Sequence, residues 1–155
     1  MAITQAVANS FKKELLEGEH KFQFTGGDTF KLALYTSAAT LNSTTTVYPG
    51  DSTGNQVPDS GQYAQGGGVL VKPNPSTSVA SGVAIVDFND LSFTGVSLTA
   101  RGALIYNSTM GGGSNTTDAV CVLNFGADKT ATSGTFTIQF PSFTTAAAIL
   151  RIGNA

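Results

Sequence analysis

The chain has 155 residues, 41% hydrophobic and 12% charged, and its 8 Lys and Arg against 10 Asp and Glu leave a net charge of -2. A chain of this size can bury roughly 68–70% of its unfolded surface as one domain, and one cysteine with one histidine cannot supply a zinc site of the usual kinds. Charged residues normally make up about a quarter of a soluble chain. The shortfall leaves no basic footprint for nucleic acid and few groups for acid-base chemistry.

Ile3, Val7, Phe11 and Leu15 recur every four residues, with Leu16 beside them and Lys12, Lys13, Glu14 and Glu17 mostly opposite. This predicts an amphipathic helix over about residues 3–17, closed by Gly18. The charges break the apolar run that a signal peptide needs, which predicts a protein made without a cleaved leader. No stretch has the apolar length of a membrane span. The helix lacks the basic outer face of a membrane-surface helix, so its apolar stripe is expected to dock on its own sheet or on a neighbouring subunit.

Beyond Gly18 the period falls to two. Phe22 and Phe24 alternate with Lys21 and Gln23, and after the Gly26-Gly27-Asp28 turn Phe30, Leu32 and Leu34 alternate with Lys31, Ala33 and Tyr35, predicting hairpin-related strands. Residues 36–68 are rich in Thr, Ser, Gly, Asn and Pro, with Leu41, Val47, Tyr48 and Tyr63 as sparse apolar anchors. A loop of that length is expected to be functional, or to be partly folded on a partner. Removing part of the stretch from Asn42 to Ser60 is therefore expected to leave the domain folded.

Further strands are predicted at residues 69–71, 83–88, 91–93, 98–106, 119–125, 135–140 and 147–152. Turn chemistry separates them at Pro73-Asn74-Pro75, Asn89-Asp90, Gly111 to Asn115, Gly126 to Asp128 and Ser133-Gly134. Short strands at this spacing, with no helical pattern between them, predict a single mainly β domain over residues 1–155. Its expected form is an antiparallel β-sandwich, with a jelly roll among its variants, carrying one N-terminal amphipathic helix.

The search for chemistry begins with His20, the one side chain that ordinarily titrates near neutrality. Lying between Glu19 and Lys21 just past the helix, it reads as a surface histidine in a connection. Cys121, within Ala119-Val120-Cys121-Val122-Leu123, has no basic neighbour to stabilise a thiolate and reads as a buried hydrophobe. Asp87, Asn89 and Asp90 begin like a calcium loop but lack its Gly and its closing Glu, so they read as a turn. Gly66-Gly67-Gly68 and Gly111-Gly112-Gly113 precede no helix and no Lys-Ser/Thr pair, so they are loop glycines rather than phosphate cradles. The sequons at Asn42, Asn107 and Asn115 are expected by chance in an Asn- and Thr-rich chain. Arg101, next to Gly102, is expected either to donate an ion pair to a neighbouring subunit or, the favoured reading, to bridge to an internal carboxylate such as Asp87. Taken together these residues predict no enzyme, no cofactor and no metal.

Several stretches resemble a group of small structural proteins of tailed bacteriophages over almost the whole chain. They are Met1 to Ala6 with Ser10-Phe11-Lys12 and Glu14-Leu15-Leu16, then Phe30 to Ser37 with Ala39-Thr40-Leu41, Ala100 to Asn107, Val122 to Thr130, Gly134 to Pro141 and Ile149 to Ile152. The loop Gly61-Gln62-Tyr63-Ala64 and Cys121 depart from the pattern locally. The resemblance implies a non-enzymatic virion component of the capsid, neck or tail.

Within that class, the expected role is a capsid cement or decoration protein. It would be made in the host cytoplasm and bound in many copies to the outside of the major capsid protein shell, pairing with copies of itself as dimer or trimer. Neither nucleic acid nor membrane is an expected partner. The alternative is a tail or neck component such as an adhesin or tail-fibre module, and a third reading is a carbohydrate-binding, lectin-like module. Expected contact residues are Phe11 and Leu15 on the helix, with Tyr48 and Tyr63 in the long loop, because tyrosine offers a broad apolar face and a hydroxyl at low rotamer cost.

Overall fold

The computed structural model describes residues 2–50, 54–109 and 117–153. The predicted glycine turn at Gly111 to Asn115, with its sequon, lies outside the described residues. The fold is mainly β, with two antiparallel sheets and one short helix. In chain order the elements are β1 (Ala6–Val7), α1 (Asn9–Leu16), β2 (Phe30–Tyr35), β3 (Gly68–Val69), β4 (Thr77–Ala80), β5 (Val83–Val86), β6 (Leu91–Asn107), β7 (Ala119–Ile138) and β8 (Leu150–Ile152). The larger sheet has the order β1-β7-β6-β2-β3 and the smaller one β4-β5-β8.

The centre of the larger sheet is buried on both faces. Leu32 to Tyr35 of β2, Ala103 to Tyr106 of β6 and Ala119 to Val122 of β7 are all buried in succession, which is why these segments read as continuous apolar runs rather than alternating ones. Each large apolar side chain fully buried there contributes about 1.5–3 kcal/mol. A core of that kind holds the fold without charge networks. Toward Leu91 and Ile138 the β6–β7 ladder returns to period two, with Phe93, Val96, Leu98, Phe136 and Ile138 inward and Ser92, Thr94, Ser97, Thr99, Thr130 and Thr137 outward.

Four sequence-based boundaries are corrected. The helix is Asn9–Leu16 rather than residues 3–17, because the chain before it is claimed by strand pairing: Thr4 N–H donates to Leu41 O at 2.8 Å, and β1 pairs with β7. A spacing of four is also an even number, so Ile3 and Val7 keep one face in an extended chain as they would in a helix. Phe22 and Phe24 form no strand; Phe22 instead stacks on Phe30 at 4.5 Å, and Phe24 is exposed. The predicted turns at Gly126 to Asp128 and Ser133-Gly134 are irregularities within one long β7. Ala100 faces Lys129 while Gly102 faces Asn124, so residues 125–128 bulge out of the ladder. Last, β4 has no apolar alternation and was not foreseen.

The long loop is built into the fold. Tyr35 bridges Gln56, Val57 N–H donates to Leu34 O at 2.9 Å, and residues 55–57 thereby extend the outer edge of β2 that β3 covers elsewhere. Val47 bridges Asp118 beside the start of β7. Leu41, Gln56, Val57 and Tyr63 are buried. This packing stands against the expectation that part of Asn42 to Ser60 is dispensable for folding wherever the part removed includes Gln56 and Val57.

Candidate functional site

The four expected contact residues lie in different surroundings. Phe11 is buried, its ring 4.8 Å from that of His20 and 6.0 Å from that of Phe22. Leu15, one turn later, is half-buried against the core. Tyr63 is 1% exposed, and its hydroxyl is saturated: it accepts from Leu34 N–H at 2.8 Å and from Gln56 Nε2 at 2.7 Å, and faces Leu34 O at 3.4 Å. Tyr48 is half-buried, stacks on Tyr106 at 4.6 Å and donates its hydroxyl hydrogen to Gln56 Oε1. Burial pushes the Tyr63 phenol up to about 12. Phe11 and Tyr63 are thus spent on the protein's own core, and Leu15 and Tyr48 present only part of their surface.

What remains exposed and apolar lies elsewhere. Leu16 is 90% exposed, Val79 70% and Ile152 60%. Between α1 and the smaller sheet runs an open apolar groove of about 460 Å³, lined among others by Phe11, Leu15, Leu16, Ile85, Leu150 and Ile152. Sequence reasoning passed over Val79 because its four-residue strand has no apolar alternation, and it placed Ile152 in a strand without a signal for which face stays exposed.

His20 is not a surface residue. It is 6% exposed, with Nε2 2.8 Å from Glu14 Oε2 and Nδ1 3.1 Å from Asn107 Nδ2. Asn107 Oδ1 accepts Thr109 N–H, which fixes its amide so that Nδ2 donates to His20 Nδ1 and to Asp28 Oδ2 at 2.7 Å. The imidazole proton therefore sits on Nε2 and points at Glu14. Both ring nitrogens are engaged, so the histidine braces the helix and is not poised as a base. The Asn107 sequon is buried in the same network.

That network also gathers charge. One oxygen each of Glu14, Glu19 and Asp118 lies within 4.8 Å of the others, an arrangement that acidic groups can offer a cation. Glu14 already accepts from His20. Burial, and then the Glu14 carboxylate, raise the Asp118 pKa above its ordinary value. Sequence reasoning missed the cluster because its members are 104 positions apart along the chain from Glu14 to Asp118 and meet only through the pairing of β7 with residues near the helix.

The other candidates resolve physically. Cys121 is buried in β7, and burial pushes its thiol up to about 12, far from thiolate chemistry. Asp87 is buried with Oδ1 accepting Phe88 N–H beside it, and Asp90 Oδ1 accepts Phe140 N–H, so one carboxylate holds local backbone and the other ties the start of β6 to the chain after β7. Arg101 pairs with Asp128 across the β7 bulge at 2.7 Å, not with Asp87. Asn42 closes a turn by accepting Thr44 N–H at 2.8 Å. Among the described residues no helix is long and apolar enough to cross a membrane. No family model, no curated protein and no solved structure matches the chain.

Proposed function

We propose that this chain is a non-enzymatic structural protein of a tailed-bacteriophage particle, bound in many copies to the outside of the shell formed by the major capsid protein. The observation that carries the reading is the outward face of the β6–β7 ladder, where Ser92, Thr94, Ser97, Thr99, Thr130 and Thr137 all stand exposed although the register shifts between Phe93 and Leu98. Hydroxyl pairs lock it: Ser92 Oγ lies 2.8 Å from Thr137 Oγ1, and Thr99 Oγ1 lies 2.8 Å from Thr130 Oγ1. A face of that composition loses little hydration when another protein covers it, since an uncharged hydroxyl costs far less to desolvate than an ion. Its contacts are also nearly indifferent to salt.

The resemblance to phage structural proteins supports the same class, and a symmetric shell turns modest contacts per copy into strong retention. His20 and Cys121, the natural candidates for catalysis, are consumed by the core. The test is copy number in purified particles, measured by gel densitometry against the major capsid protein. A shell-coating protein should be present in hundreds of copies; tens or fewer would favour a neck or tail component.

A further inference from the structure

We propose that β4 is a self-association edge, through which two copies of this chain pair antiparallel and join their three-stranded sheets into one sheet of six. Ser81 and Gly82 have φ of 52° and 75°, the double positive φ of a two-residue hairpin turn. Ala80 and Val83 flank that turn and form its closing hydrogen-bonded pair; the next such pair is Ser78 with Ile85, and Asp87 N–H to Ser76 O at 3.2 Å continues the alternation. The N–H and C=O groups of Thr77 and Val79 therefore point away from β5. Among the described residues no strand pairs with that side of β4.

All four residues of β4 are exposed. An open edge of this kind is normally blunted by charge, proline or a bulge. The outer edge of β7 beyond Val122 has such guards: Asp128 and Lys129, and positive φ at Gly126 and Ser133 where the ladder is irregular. Within β4 itself there is none, Pro75 standing two residues before it, and residues 76–86 contain no charged side chain.

That neutrality selects the occupant. About a two-fold axis each residue lies near its own copy, so any charge at the edge would meet its like, whereas an uncharged edge is self-complementary. Centring the axis on Ser78 pairs Thr77 of each copy with Val79 of the other, giving two reciprocal sets of N–H···O bonds from the groups that point outward. By register, Val79 lies beside Ala84 and Ala84 beside Ile152, while Thr77 lies beside Val86 and Val86 beside Leu150. Joining Val79 to Thr77 of the second copy makes these two rows one, and places β-branched side chains opposite each other at the seam. The exposed Val79 side chain then gains a neighbour.

The test uses the full isolated chain, without capsids, and so stands apart from the virion reading. Sedimentation velocity over a hundredfold concentration series should show a monomer–dimer equilibrium. Val79→Lys places a charge beside its own copy, and Val79→Pro removes an outward N–H that β5 does not use; each should weaken the dimer at least about tenfold, with Val79→Lys melting at the same temperature as the unaltered chain. Should Val79→Pro fail to fold, Val79→Lys decides. A chain that stays monomeric throughout the series, or a dimer of unchanged affinity in Val79→Lys, would overturn the inference.

Discussion

His20 Nε2 and Glu14 Oε2 meet at 2.8 Å inside the protein, tying the helix to the strand connection that follows it. On its other side the imidazole accepts from Asn107, which also holds Asp28, so the helix, the turn at Asp28 and the end of β6 are fastened through one ring. The ring packs against Phe11 as well. His20→Ala should cost about 2–4 kcal/mol, the sum of a cavity and unpaired buried polar groups. Glu14→Gln keeps an oxygen to accept the Nε2 hydrogen and should cost less than about 1 kcal/mol. Urea denaturation of the two variants gives both values.

Asp118 supplies a pH dependence of unusual sign. Burial and the neighbouring Glu14 carboxylate raise its pKa in the folded protein above the ordinary 3.8, and burial raises that of Asp87 too. The folded state therefore holds these protons more tightly than the unfolded chain does. Their contribution to stability grows as pH falls through the raised value toward 3.8, and is lost as pH rises above it. Asp118→Asn should raise the melting temperature at neutral pH, with the gain shrinking as the medium is acidified. Thermal melts at a series of pH values would show this, and a variant that loses stability at neutral pH would contradict it.

Tyr63 shows that the long loop is part of the core. Its hydroxyl accepts from both Leu34 N–H and Gln56 Nε2, so Tyr63→Phe leaves two buried donors without their acceptor and should cost about 1–3 kcal/mol. Removing residues 54–60 should be worse, because Gln56 and Val57 leave with them. Guanidinium denaturation of the point variant and a calorimetric scan of the deletion are the relevant measurements.

Gly67, like Gly61, is a loop glycine in a demanding position. Its φ is +80°, and a Cβ there would collide with the Leu32 carbonyl where β3 meets β2. Gly67→Ala should cost about 1–3 kcal/mol through left-handed backbone strain alone, and more through the collision. Chemical denaturation against the same substitution at Gly18, which has space for a Cβ, separates the two effects.

These residues also mark what could be read in advance. The mainly β antiparallel class, the burial of Cys121 and the two-faced pattern from Thr135 to Phe140 were legible because alternation and apolar runs are local signals. The helix start was not, since Ile3 and Val7 keep one side in either conformation. Bulges at Gly126 and Ser133 carry the same residues as true turns, and only the partner strand distinguishes them. The loop's burial depends on Tyr63 finding Leu34, and the carboxylate cluster on β7 reaching the helix. Both are long-range events with no local signature. Arg101 does bridge a carboxylate, but an exposed one, Asp128, which the bulge brings back over it, and not an internal one such as Asp87.

The proposed place of this chain is the outer surface of a virion shell. In a cryo-EM reconstruction of the intact particle the two-sheet fold should appear as repeated density on the outer face of the capsid, seated on the major capsid protein. Density for this fold confined to the neck or tail, or its absence from the shell exterior, would refute that placement.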